Sequence, residues 1–132
     1  MSTLTTNYLG LQLKNPIIAA SSGLTNSLSN IIELEANGAA AVVVKSIFEE
    51  EIRLEAEDNF NKMTSQGFIY PETMEYFDYD EMGDPVFDYL KLISDAKAKV
   101  KIPIIASVNC VSAEKWTDFA KRIQDAGADA IE

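Results

Sequence analysis

The residues best placed to do chemistry stand at the ends of three short apolar runs. In "AAVVVKSIF", residues 40–48, five small or β-branched apolar residues lead into Lys45 and Ser46. A lysine is poorly tolerated inside a buried strand. Lys45 therefore either marks the point where the strand meets water, its stem lying along apolar surface, or is a cation held for use. A held ammonium stabilises negative charge that develops on a ligand; a Schiff base with a carbonyl substrate is a second option. "IIAASSG", residues 17–23, ends in Ala20, Ser21 and Ser22, and "IIASVNC", residues 104–110, passes through Ser107 and Asn109 to Cys110. Serines in such positions are turn formers by default. At strand ends facing a ligand they are also uncharged hydrogen-bond donors. Ser107 and Asn109 share a side if the third strand reaches that far, because strand side chains alternate. A rim of small polar donors carrying one cation suits a polar, planar or anionic ligand.

Composition narrows the chemistry. The chain has 132 residues, no histidine and a net charge of −10. Without histidine there is no Ser-His-Asp triad, no Cys-His pair and no histidine-based metal centre, and no metal site is expected. An acidic chain repels nucleic acid and anionic membrane, so neither is an expected partner. A phosphate ligand stays open, because local backbone N–H groups and one lysine outweigh a distant field. The single cysteine, Cys110, cannot form an internal disulfide, which fits a reducing, cytoplasmic setting. Cys110 itself reads as a packing thiol. "MSTLTTNYLG" has no basic segment followed by an apolar core, so no signal peptide is expected. No apolar run approaches the ~20 residues of a membrane helix.

The elements that must position these residues follow from periodicity. Residues 3–14 alternate around Gly10 and predict a β-hairpin. Ile17 to Ala20 predict a first buried strand behind Pro16. A helix capped by Ser27 or Ser29 runs to about Ala36, with Ile31, Ile32 and Leu34 on a partly apolar face, and stops at Asn37-Gly38. Residues 40–44 predict the second strand. Residues 46–83 are irregular, with an acidic run at 49–58 and the aromatics Phe68, Tyr70, Tyr76, Phe77 and Tyr79. We read them as a loop with short helical turns lying over a site. The acidic run reads as a solvated face and the aromatics as packing of that loop. Asp84-Pro85 opens a helix with a predicted stripe of Val86, Phe87, Leu90, Ile93 and Ala96. "IIASV" is the third strand. Ser112 caps a last helix with Trp116, Phe119, Ala120 and Ile123 at helical spacing. "ADAIE" opens a fourth strand.

Short, fully apolar strands alternating with amphipathic helices mean parallel α/β architecture. The predicted fold is the N-terminal half, about four strands, of a TIM (β/α)8 barrel behind an N-terminal β-hairpin, residues 1–132 belonging to one barrel domain. A full barrel takes about 250 residues. A doubly wound four-stranded sheet is the alternative. In a barrel the working residues sit at the C-terminal ends of the strands, where Lys45 and the serines lie.

"LKNPIIAASSG", "VVVKS" and "GADAIE", at these spacings, resemble the flavin-binding barrel shared by dihydroorotate dehydrogenases and the pyrimidine-reducing domain of dihydropyrimidine dehydrogenase. The resemblance runs over essentially the whole chain. It implies a barrel holding FMN at its C-terminal rim and an oxidoreductase passing hydride between a dihydropyrimidine-like small molecule and that FMN. Position by position, it implies flavin contacts for Ala20, Ser21, Ser46 and Ser107, with Asn109 a weaker candidate. It implies that Lys45 sits beside the flavin ring and the substrate, where its ammonium stabilises charge on the reduced ring. The family's catalytic base, a cysteine or serine after the fourth strand, and its main phosphate loops fall beyond Glu132, so this chain is expected to be incomplete for catalysis. "NKMTSQGFIYPET" does not reproduce the Asn-Ser-x-Gly-x-x-Asn segment with which the dihydroorotate enzymes hold a carboxylate. Two rivals remain: a non-catalytic half-barrel pairing with a second chain, and a non-redox phosphate-binding barrel enzyme. Exposed apolar strand edges need cover, so a homo-oligomer is expected.

Overall fold

The structure, a computed structural model, describes residues 3–50, 54, 58, 61, 85–111 and 113–132. The predicted loop over the site, most of the acidic run, the five aromatics between 68 and 79 and the caps Asp84 and Ser112 lie outside the described residues.

The hairpin forms as expected from strands β1 (Thr6–Tyr8) and β2 (Leu11–Leu13), paired antiparallel. Its turn residues, Leu9 and Gly10, both have positive φ, 51° and 77°. Two such residues in succession match the twist of a tight hairpin. Strand β3 (Ile18–Ala19) follows. The Asn15 side chain fixes its start: the amide donates to the Gly38 carbonyl at 3.0 Å, and the side-chain oxygen accepts the Ile17 N–H at 2.9 Å. A short 3-10 turn (Gly23–Thr25) is capped by Ser22, and helix α1 (Leu28–Ala36) by Ser27, whose hydroxyl accepts the Asn30 N–H. Gly38, with φ of 100°, turns the chain into strand β4 (Ala41–Val43). Strand β5 (Ile47–Phe48) comes next, where the sequence pattern predicts loop.

Helix α2 (Pro85–Lys99) leads to β6 (Ile104–Ala106) and β7 (Val108–Asn109), and helix α3 (Ala113–Asp125) to β8 (Ala130–Ile131). Three helix stripes differ from expectation: in α1 Ile31 is buried, whereas Ile32, expected on the same face, is 41% exposed. In α2 the buried set is Val86, Tyr89, Ile93 and Ala96, while Phe87 is 51% exposed. Spacings of three and four from Val86 reach Tyr89 and Ile93, so the apolar Phe87 falls on the outer side of the helix. In α3, Phe119 and Ile123 are buried but Trp116 is exposed.

β3, β4, β6 and β8 form a parallel sheet in chain order. Its two faces are covered differently. Val42, Val44, Ile104 and Ala106 pack with Ile31, Ile93, Phe119 and Ile123, so α1, α2 and α3 lie on one face. Ala41, Val43 and Ile105 pack with Leu13 of the hairpin on the other. A doubly wound sheet carries helices on both faces and a reversal of strand order; the described sheet has neither. Two carboxylates tie the strand starts down. Glu35 accepts the Lys101 and Ile102 N–H groups. Asp129 accepts the Ile104 N–H at 2.8 Å and pairs with Lys97.

Candidate functional site

The site is built around a break in the ladder. In β4·β6 Val43 sits opposite Ile105, and in β5·β7 Ile47 sits opposite Val108. Residues 44, 45 and 46 on one side therefore face only 106 and 107 on the other. This is a β-bulge, with the extra residue in the Lys45–Ser46 segment. The side-chain pattern agrees. Odd-numbered Ala41 and Val43 pack on the hairpin face, whereas odd-numbered Ile47 packs on the helix face. The bulge lets the strand carry Lys45 from a fully buried Val44 to an exposed position within one residue.

A bulge strands backbone groups, and the N–H groups around this one find partners. The Val44 and Ile47 N–H groups keep ladder bonds to the Ile105 and Ser107 carbonyls. The Lys45 N–H donates to the Thr25 carbonyl at 3.3 Å, and the Ser46 N–H to Ser21 Oγ at 2.8 Å. Across the bulge, the Ser107 N–H donates to the Tyr89 hydroxyl at 2.9 Å. That hydroxyl in turn donates to the Ser107 carbonyl at 2.9 Å. Buried backbone groups need such partners.

The same residues link their side chains. Ser21 Oγ lies 2.9 Å from Ser46 Oγ, which lies 2.7 Å from Ser107 Oγ. Three hydroxyls at the ends of β3, β4 and β6 thus form one chain across the sheet. Two links consume two of the three hydroxyl protons, so one proton is not used within the chain whichever way it is polarised. Ser107 is 6% exposed, and Ser21 and Ser46 are half-buried. The group is an uncharged, internally braced donor with an exposed lysine beside it in sequence. It suits a ligand that presents hydrogen-bond acceptors, including an anionic one.

The structure thus brings together Ser21, Ser46 and Ser107, with Lys45 adjoining. Ala20 and Asn109 stand apart from this hydrogen-bonded chain. Ala20 is exposed and lines an open groove of about 340 Å³ along β3, with Ile17, Ala19, Leu24, Leu34 and Ala39. Asn109 is exposed in β7, two residues beyond the buried Ser107. Ser22 is a capping residue, its hydroxyl accepting the Leu24 N–H at 3.2 Å. Cys110 is half-buried and packs against the helix-face core. Among the described residues no group of three His, Cys, Asp or Glu side chains is placed to hold a metal ion, and no described helix is long and apolar enough to cross a membrane.

Tyr89 is the site residue that sequence reasoning missed. Burial pushes its phenol from 10.0 up to about 12, with a smaller upward push from Glu132 and an opposing one from the bond to Ser107. The hydroxyl therefore keeps its proton at neutral pH, and that proton is the one donated to the Ser107 carbonyl. The signal was its place between Val86 and Ile93 at helical spacing, with a polar tip on an otherwise apolar stripe.

No protein-family model matches the chain. Over its full length it is 33% identical to the catalytic subunit of dihydroorotate dehydrogenase B (NAD(+)) from Thermoplasma acidophilum. It is 34% identical to the same subunit from Thermoplasma volcanium. The chain spans 41% of the length of each of these relatives. Along its whole length the chain is thus similar to catalytic subunits of dihydroorotate dehydrogenase B.

Proposed function

We propose that the chain forms part of an FMN-binding (β/α)8 barrel and that the protein is an oxidoreductase acting on a dihydropyrimidine-like small molecule. The observation that carries the reading is the linked Ser21–Ser46–Ser107 chain, set at the C-terminal ends of adjacent parallel strands beside Lys45. Similarity to the catalytic subunits of dihydroorotate dehydrogenase B supports the reaction class. Helices on a single face and strands in chain order support the barrel. So does the apolar groove along β3, an edge that barrel closure would cover.

The donor set fits a flavin. A flavin ring presents carbonyl oxygens and ring nitrogens that accept hydrogen bonds from uncharged donors. The spare hydroxyl proton of the serine chain meets that need without adding charge. FMN, when bound, would supply the two-electron acceptor that no protein side chain provides. The serine chain would orient the ring, and the bulge would hold it rigid. Lys45 would place an ammonium where negative charge accumulates on reduction, stabilising it electrostatically. Ala20, Asn109 and the partner subunit implied by the relatives' name would complete the surroundings.

The test is direct. The full-length protein is purified, its visible spectrum recorded and FMN titrated into it. We expect bound flavin, held at least tenfold more weakly in Lys45→Ala. A folded full-length protein that neither carries nor takes up FMN would refute the reading.

A further inference from the structure

We propose that Tyr89 is a positioning residue of the serine site: its hydroxyl replaces the strand neighbour that the bulge takes from Ser107, and so holds Ser107, Ser46 and Ser21 in line for their ligand. The effect on ligand binding rests on the flavin reading above; the clamp itself does not.

An unbroken parallel ladder would turn the Ser107 N–H toward β4. The one-residue slip between β4·β6 and β5·β7 leaves that N–H without its regular partner. Ser107 is 6% exposed, so water is a poor replacement. The Tyr89 hydroxyl fills the gap from the helix face. It accepts from the Ser107 N–H and donates to the Ser107 carbonyl, both at 2.9 Å. One hydroxyl thus grips both backbone groups of one residue and sets the direction of its Cα–Cβ bond. Ser107 Oγ then lies 2.7 Å from Ser46 Oγ, and Ser46 holds Ser21 twice, through Oγ and through its N–H. The clamp reaches all three serines through these bonds.

Packing alone does not call for the hydroxyl. Tyr89 is 8% exposed on the buried stripe of α2, between Val86 and Ile93. A phenylalanine ring would fill the same core position, but only tyrosine brings a donor and acceptor to the bulge.

The test uses the full-length protein with Tyr89→Phe, Ser46→Ala, the double variant and Val86→Ala. Two quantities are read: the dissociation constant for FMN and the hydrogen-exchange rate of the Ser107 amide. Tyr89→Phe is expected to speed Ser107 exchange at least tenfold and to weaken FMN binding severalfold. The double variant is expected to bind FMN no more weakly than the weaker single one, because both changes cut the same chain. Val86→Ala, which loses packing but keeps the hydroxyl, is expected to lower the unfolding temperature while leaving FMN affinity unchanged. Losses that multiply in the double variant overturn the proposal, as does a Tyr89→Phe protein with wild-type exchange and affinity. A wild-type protein that binds no FMN defeats the flavin reading instead, and Ser107 exchange then decides the clamp alone. Should Tyr89→Phe fail to fold, the wild type still decides: a Ser107 amide exchanging as fast as an open loop overturns the clamp.

Discussion

Ser46 is the middle link of the serine chain, and replacing it with alanine tests whether that chain is one structural unit. Ser46→Ala removes an oxygen that touches Ser21 Oγ at 2.9 Å and Ser107 Oγ at 2.7 Å. The two neighbours are affected unequally. Half-buried Ser21 keeps the Ser46 N–H as a donor and can add water. Ser107, 6% exposed, has little access to water. Leaving a buried polar group without its partner costs about 1–3 kcal/mol. The loss at Ser21 adds roughly 0.5–1 kcal/mol. Ser46→Ala should therefore destabilise the ligand-free protein by about 1.5–4 kcal/mol. Each kcal/mol lowers the unfolding temperature by roughly 3–5 °C in a chain of this size. Ser107→Ala alone should cost less, because it removes the most buried hydroxyl. The double variant decides the matter. With both partners gone there is no orphan at 107, so the combined loss should fall short of the sum by about 1–2 kcal/mol. Urea unfolding of the four proteins at constant m-value measures these quantities. Losses that add to within about 0.5 kcal/mol would refute the linked chain.

Stability at high pH should carry the mark of Tyr89. Its phenol is pushed from 10.0 to about 12 in the fold, so above pH 10 the unfolded chain gives up this proton before the folded one does. The contribution is intact below pH 10 and lost as pH rises through 12, amounting to roughly 2–3 kcal/mol. Unfolding measured against pH should flatten over that range in Tyr89→Phe, and parallel curves would contradict the assignment. At Asp129 the charge and the acceptor separate cleanly. The ion pair with Lys97 is partly exposed, at 26% and 31%, and contributes up to about 1 kcal/mol. Asp129→Asn retains an oxygen for the Ile104 N–H, whereas Asp129→Ala does not. The alanine variant should be less stable by a further 1–2 kcal/mol or about that, and equal unfolding midpoints would show that the backbone contact contributes nothing.

The sequence by itself determined the order of the hairpin, the four strands of the parallel sheet and helices α1 to α3, but not β5 or β7. Apolar runs of strand length, with helix stops at Gly38 and Gly127, pointed to a parallel sheet covered by helices, and positive φ at both glycines explains why each helix ends there. It also determined that polar residues finish each strand, since Ser21, Lys45 and Ser107 directly follow apolar runs. It misplaced Ile32, Phe87 and Trp116, because apolar character alone does not say which residues of a helix face the sheet.

Only the tertiary structure decided how the polar strand ends meet. The bulge at Lys45–Ser46 is a property of two strands compared, 43 against 105 and 47 against 108, and neither strand alone announces an extra residue. Once it exists, the freed N–H groups of Lys45, Ser46 and Ser107 must find partners. Thr25, Ser21 and Tyr89 supply them from three separate parts of the chain. Hydrogen bonds between residues 25 and 61 positions apart join the serines. Such contacts leave no local periodicity to read, because they depend on register and on helix position, which are set when the sheet and its helices pack.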